Sequence, residues 1–321
     1  MASELRAAVV GVGHLGRHHA RLLSEMPDVD LVGVVDINHE RARTVAGDFG
    51  TNVIVDVCSL ADQIDAVVVA VPTIDHVRVA TPLLTAGISV LVEKPMASSA
   101  VEADDLLKAS TASGATLAVG HTERHNPAVK VALPLISAPR FIEVHRLATF
   151  KPRSLDIDVV FDVMIHDLDV VLCIVGSEPV SLEAVGVPVL SDRIDIANVR
   201  LRFGNGCIAN LTASRISRES VRKLRVFQPH ALVSVDYAEQ QVESWHVTRG
   251  DTGQPMIDGG RIDVPHAEPL ERELADFIRA ARQRTLPGVT GMDGRRALAV
   301  AELIAEAMST DEASVSVPEV S

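Results

Sequence analysis

The 321 residues, 47% of them apolar, exceed what one ordinary hydrophobic core encloses, so two domains are expected. With 30 basic residues against 43 acidic ones the formal charge is −13, which repels a phosphate polymer and argues against nucleic acid as a partner. No uncharged apolar run reaches the roughly 18 residues of a membrane helix, and Met1-Ala-Ser-Glu-Leu-Arg6 is no cleavable apolar leader, so a cytoplasmic chain without a membrane partner is expected.

Residues 5 to 121 alternate between short apolar runs and amphipathic stretches. Strands are expected at Leu5 to Val10, Leu31 to Val35, Asn52 to Val55, Ala66 to Val71, Ile88 to Val92 and Ala115 to Val119, with helices from Arg17 to Met26 and from Asn38 to Phe49. Another helix begins at His76, where Pro82 should kink it or mark a later start. Ser99 and Glu102 form a capping box for the next. Strands alternating with helices, and continuously apolar as Ala66 to Val71 is, predict an α/β Rossmann domain with a doubly wound parallel sheet.

Gly11-Val-Gly-His-Leu-Gly16 sits between the first strand and the first helix. A bare Gly-x-Gly-x-x-Gly also marks ordinary turns; the strand-loop-helix-strand context makes it a dinucleotide fingerprint. Gly11 permits the tight turn, Gly13 lets backbone approach a pyrophosphate, and Gly16 allows close helix packing. Asp36 follows Gly16 by twenty residues at a strand end, where a carboxylate accepts from an adenosine ribose and repels a 2′-phosphate. NAD is therefore favoured over NADP, although Arg41 and Arg43 lie near in sequence. Val71-Pro72-Thr73 and His76, at the end of the central strand, are candidates to border the nicotinamide ribose. For Pro72 a rigid turn, and for His76 an exposed first-turn position, are equally good accounts.

Glu93-Lys94-Pro95 follows the fifth strand, so Lys94 should project into the crevice at the carboxyl ends of the strands. Its ammonium there stabilises negative charge developing on oxygen or relays a proton.

From residue 122 the pattern changes. Strands are expected at Phe141 to Phe150, Val180 to Leu190, Ile194 to Phe203, Cys207 to Ile216, Val221 to Phe227, Ala231 to Tyr237 and Gln241 to Val247, with Gly204-Asn205-Gly206 as a hairpin turn. These make an α+β domain with a large, mostly antiparallel sheet. Between its first two strands a helix carries Phe161, Met164, Ile165, Leu168, Val171 and Leu172 at spacings of three and four. Asp162 and His166 are four apart on it and share a face. Oxidising a secondary alcohol needs a base for the hydroxyl proton, and imidazole suits that task near neutrality. His166 is the candidate base, Lys94 its electrostatic partner with the roles exchangeable, and Asp162 an orienting group. Without the glycine loop and Lys94, a helical His-Asp pair is more often a surface ion pair or a satisfied buried histidine.

Metal is not expected: Asp167 and Asp169 point away from the His166 face and a third ligand is missing. Cys58, Cys173 and Cys207 are odd in number and form no Cys-x-x-Cys pair, so they read as small apolar packing residues. Arg124 and Asn126, then Lys151 and Arg153, flank the expected cleft and could meet an anionic substrate, although each alone is commonly a solvated residue. Leu270 to Arg282 and Gly294 to Met308 read as amphipathic helices packing back on the sheet or on the first domain. The expected domains are 1–121, 122–308 and a polar tail, 309–321.

The glycine loop, Asp36, Glu93-Lys94-Pro95, Gly120-His-Thr-Glu-Arg-His-Asn-Pro127 and Asp162-Val-Met-Ile-His166 together resemble the Gfo/Idh/MocA oxidoreductases across essentially the whole chain. The resemblance implies hydride exchange between NAD and a carbinol of a sugar, sugar nucleotide or cyclitol, and a homodimer or homotetramer assembled through the C-terminal sheet. It implies cofactor contacts from Gly11, Gly13, His14, Leu15, Gly16, Asp36, Val71, Pro72, Thr73, His76, Glu93 and Lys94, and substrate contacts from His121, Arg124, Asn126 and Arg153. Glu143-Val-His-Arg-Leu-Ala-Thr-Phe-Lys-Pro-Arg153 and Met164-Ile-His-Asp-Leu-Asp169 are similar to a branch acting on the 3-hydroxyl of UDP-N-acetylglucosamine. An inositol or free-sugar dehydrogenase with the same catalytic groups, and a sensor that binds NAD without turnover, remain as alternatives.

Overall fold

The computed structural model describes residues 4–57, 62–150, 157–250 and 253–309, and the backbone of 314–316. Cys58, Lys151, Arg153 and most of the expected polar tail lie outside the described residues. The chain divides into two compact units, Met1–Thr122 with Glu268–Leu298, and Glu123–Ala267 with Ala299–Ser321.

The first unit opens with β1 (Leu5–Val10), α1 (His14–Glu25), β2 (Val29–Val35), α2 (His39–Phe49) and β3 (Asn52–Val53). It continues through β4 (Ala66–Val69), α3 (His76–Thr85), β5 (Ser89–Glu93), α4 (Ala100–Ser113) and β6 (Leu117–Gly120). Six parallel strands stand in the order β3-β2-β1-β4-β5-β6. The order reverses between β1 and β4, which opens a crevice beyond their carboxyl ends. Val67, Val68 and Val69 of β4 and Val90, Leu91 and Val92 of β5 are at most 1% exposed, because helices cover both faces. Local signals set the helix ends: Asn38 and Ser99 accept the backbone N–H groups of Arg41 and Glu102, and Gly50 and Gly114 terminate α2 and α4 in the left-handed region. Pro82 does not delay α3, which begins at His76 and runs through it.

The second unit starts with α5 (Pro127–Ala132) and β7 (Phe141–Leu147), then a π-helical turn, Val160–Met164, leading into α6 (Ile165–Val175). Seven strands follow: β8 (Pro179–Val187), β9 (Ile196–Phe203), β10 (Ile208–Ser214), β11 (Val221–Gln228), β12 (Ala231–Asp236), β13 (Gln241–Arg249) and β14 (Pro255–Ile262). After them come α7 (Pro269–Gln283), α8 (Gly291–Ser309) and β15 (Ser314–Ser316). The sheet order is β14-β13-β12-β11-β7-β10-β9-β8-β15, with β7 and β10 the parallel pair in an otherwise antiparallel ladder. β14 escapes sequence reading because Pro255, Gly259 and Gly260 resemble a loop. Gly259 is required there: a Cβ on it would lie 2.1 Å from the Ser244 carbonyl oxygen.

α7 belongs to the first unit, where Leu274, Phe277 and Ile278 join Leu22 and Leu23 in one core. The start of α8 packs there too, since a Cβ on Gly291 or Gly294 would come within 2.6 Å of Leu117 or Val119.

Candidate active site

In the first unit the glycine loop is shaped by contact. Gly11 adopts φ +86°, and a Cβ there would lie 2.7 Å from the Ala70 and Val71 backbone; one on Gly16 would lie 1.8 Å from the Gly11 carbonyl oxygen. Gly13 faces open space, and as the N-cap of α1 it brings no side-chain acceptor to the free N–H groups of the first turn. That combination fits a pyrophosphate. His14 and Leu15 are exposed beside it. Asp36 accepts N–H bonds from Val12 at 3.0 Å and Asn38 at 2.8 Å, and its side chain is 4% exposed. Arg41 is 3.4 Å away. Thus Asp36 braces the glycine loop itself, a task its spacing alone does not disclose. A groove of about 550 Å³ runs beside it, lined by Val12, Gly13, His14, Arg17, Asn38 and Arg41 among others.

At the ends of β4 and β5, Val71 and Thr73 are half-buried and Pro72 exposed, while His76 is buried. The His76 ring nitrogens lie 2.9 Å from the carbonyl oxygens of Val71 and Pro95, so the imidazole bridges the two strand-end loops. This replaces the exposed first-turn position considered from sequence. Burial lowers the His76 pKa despite both carbonyls. Lys94 is half-buried and precedes a cis peptide to Pro95; Glu93, just before it, is buried. His121 is buried at the end of β6.

In the second unit His166 and Asp162 are half-buried. Asp162 lies in the π turn and His166 in the first turn of α6, so the backbone between them tightens from π to α hydrogen bonding rather than running as one α-helix. Such turns recur at functional sites. Asp167 accepts from Arg146 at 2.6 and 2.8 Å, and Arg146 also donates to Glu123 at 2.8 Å and stacks over Tyr237. Burial works against the Arg146 charge, yet the two carboxylates carry its pKa well above the ordinary value. Asn126 donates to the Glu123 carboxylate and the Tyr237 carbonyl and caps Ala128, and Arg124 pairs with Asp169 at 3.6 Å. These polar atoms are therefore engaged inside the unit. Below the π turn, Arg215 donates to Asp195 and to the Ile157 carbonyl, tying the entry of this segment to the sheet.

Residues 5–121 match the model of the oxidoreductase family with an NAD-binding Rossmann fold, and residues 145–233 match the GFO/IDH/MocA C-terminal domain. UDP-N-acetylglucosamine 3-dehydrogenase of Acidithiobacillus ferrooxidans is 40% identical over 92% of this chain and 95% of its own. The chain belongs to the Gfo/Idh/MocA oxidoreductases. A solved structure of that relative superposes with a TM-score of 0.90 at 38% identity, covering 95% of this chain and 97% of the other. Inositol 2-dehydrogenase of Rhizobium meliloti is 27% identical over 93% of this chain and 95% of its own. Membership makes the chain an NAD-dependent oxidoreductase with a Rossmann domain and a large, mostly antiparallel sheet.

Two residues near the family's cofactor loop escape sequence reading. Ile37 after β2 and Ile74 beyond β4 are 98% and 80% exposed, unusual for bare aliphatic side chains. An apolar residue directly after a strand-end acid is the signal that could have found Ile37. Among the described residues, the His, Cys, Asp and Glu group spaced for a metal is His19, Glu93 and Glu273, whose ligand atoms lie within 4.8 Å of one another. His19 and Glu93 are 2.7 Å apart, a hydrogen bond and shorter than the roughly 3.3 Å separating two ligands of a tetrahedral zinc. No helix among the described residues is long and apolar enough to cross a membrane.

Proposed function

We propose that this enzyme oxidises a ring hydroxyl of a sugar nucleotide, the 3-hydroxyl of UDP-N-acetylglucosamine, with NAD. The observation that carries the substrate is the 40% identity, nearly end to end, to a dehydrogenase of that specificity. Inositol dehydrogenases at 27% identity are weaker support for a cyclitol.

Bound NAD supplies the hydride acceptor. The loop Gly11 to Gly16, with His14 and Leu15, holds the pyrophosphate through backbone N–H groups. Asp36 receives the adenosine ribose, and Ile37 and Ile74 offer apolar faces to adenine. Val71, Pro72 and Thr73 border the nicotinamide ribose, with His76 bracing them. His166 takes the hydroxyl proton, Asp162 orients that hydroxyl, and the Lys94 ammonium stabilises the developing oxyanion. His121 and Arg153 are the proposed substrate contacts, with Arg124 and Asn126, held by Asp169, Glu123 and the Tyr237 carbonyl, shaping their segment.

Purified protein incubated with NAD and UDP-N-acetylglucosamine should produce reduced cofactor, while inositols and free hexoses should not. Absence of signal with the nucleotide sugar removes the assignment. Lys94→Ala should lose turnover by orders of magnitude yet bind NAD; a sensor would keep its response.

Assembly as a homodimer or homotetramer through the second sheet belongs to the same proposal. Ile208, Phe141, Phe227, Leu232 and Trp245 stand opposite one another across five strands, and direct partners share a face. All are half-buried or exposed, an apolar row suited to a second copy. Light scattering should give a multiple of 34.3 kDa, reduced by Trp245→Asp.

A further inference from the structure

Glu93 lies at the end of β5 with 5% exposure and cannot present its carboxylate freely to a ligand. One oxygen is 2.7 Å from His19 Nε2, and the other accepts the Lys94 backbone N–H at 3.2 Å. His19 is fully buried on α1, the helix that begins at the glycine loop. Gly120 makes room for the carboxylate, since a Cβ there would lie 2.9 Å from Oε2. Glu273 of α7 brings a second buried carboxyl into the same cluster.

We propose that His19 and Glu93 are positioning residues for Lys94, fixing the peptide that carries the ammonium to the helix of the dinucleotide loop. This rests on the assignment of Lys94 above. A carboxylate withdrawn from water is stable only when paired, so the couple is maintained at one geometry, and its second oxygen transmits that geometry to the Lys94 amide. Burial pushes the Glu93 carboxyl up, but the His19 hydrogen bond and the Lys94 charge outweigh it and hold it low. Lys94 therefore inherits its position from α1 as well as from its own strand.

The test compares His19→Leu, His19→Gln, which keeps a donor, and Gly120→Ala, which displaces the Glu93 carboxylate without altering either partner. His19→Leu and Gly120→Ala should lower kcat with UDP-N-acetylglucosamine about tenfold to a hundredfold. The Kd for NAD should stay within about twofold, and His19→Gln should recover most of the rate. Amide exchange at Lys94, which needs no substrate, should accelerate in the same two variants and return in His19→Gln. In a Lys94→Ala background His19→Leu should cost nothing further, because both act through one group. Additive losses, or unchanged exchange at Lys94, would overturn the proposal. Full turnover by Lys94→Ala alone would instead remove the lysine's assignment, leaving the exchange result to judge the couple.

Discussion

Arg146 and Asp167 are joined by two hydrogen bonds, Nε to Oδ2 at 2.6 Å and Nη2 to Oδ1 at 2.8 Å, one residue beyond His166. The pair ties the start of α6 to β7. Both groups are nearly buried, so removing one leaves an uncompensated charge. Arg146→Ala should cost about 3–5 kcal/mol of stability, whereas Arg146→Met with Asp167→Leu should recover only part of it, since Glu123 still loses its Arg146 bond. Urea midpoints of the single and double variants measure this.

Asp36 holds Val12 and Asn38 by their N–H groups, which couples cofactor choice to loop integrity. Asp36→Ala should weaken NAD binding and also lower stability by about 1–3 kcal/mol, from backbone donors left unpaired. It should not become NADP-selective merely by losing the charge. Titration calorimetry with both cofactors, alongside thermal unfolding, separates the two effects.

If His166 is the base, kcat/KM falls on acidification as the imidazole protonates. His166→Ala should lose that acid limb together with about 10²–10⁴-fold of rate. Asp162→Asn should retain the limb at reduced rate, since an orienting group carries no proton in the step. A pH–rate profile that keeps its acid limb in His166→Ala would assign the base elsewhere.

Asp195 is fully buried and accepts N–H bonds from Val189, Leu190 and Ser191 as well as from Arg215. Burial pushes its carboxyl up, but these donors outweigh it and hold it far below the ordinary range. The unfolded chain, with an Asp pKa of about 3.9, then binds the proton first on acidification. The stabilisation is fully present above that value and is lost as pH falls from it through the lower folded pKa. Asp195→Asn should therefore be about 3–5 kcal/mol less stable at pH 7, with a flatter loss below about pH 4. Unfolding midpoints across the acid range check the sign.

Periodicity and punctuation sufficed for the Rossmann strands, the hairpin at Gly204 to Gly206 and the change of architecture near residue 122, because these depend on neighbours in sequence. The places of Gly11 and Gly16 in the loop, of Asp36 after β2 and of Lys94 after β5 were legible for the same reason: a fingerprint is a local spacing within strand-loop-helix context. What Asp36, His76 and Glu93 touch was not legible, since Val12, Pro95 and His19 are remote from them in sequence or meet them only across a sheet. β14 was hidden by glycines whose justification is a neighbouring strand, and the π turn at Val160–Met164 has the same apolar spacing as an ordinary helix. Arg124 and Asn126 read as free polar groups until folding supplied their partners. Short-range pattern thus determined the elements and the chemistry on offer; only the tertiary structure decided which polar groups are consumed as internal ties, because a buried charge acquires its partner through packing, and packing has no fixed sequence separation.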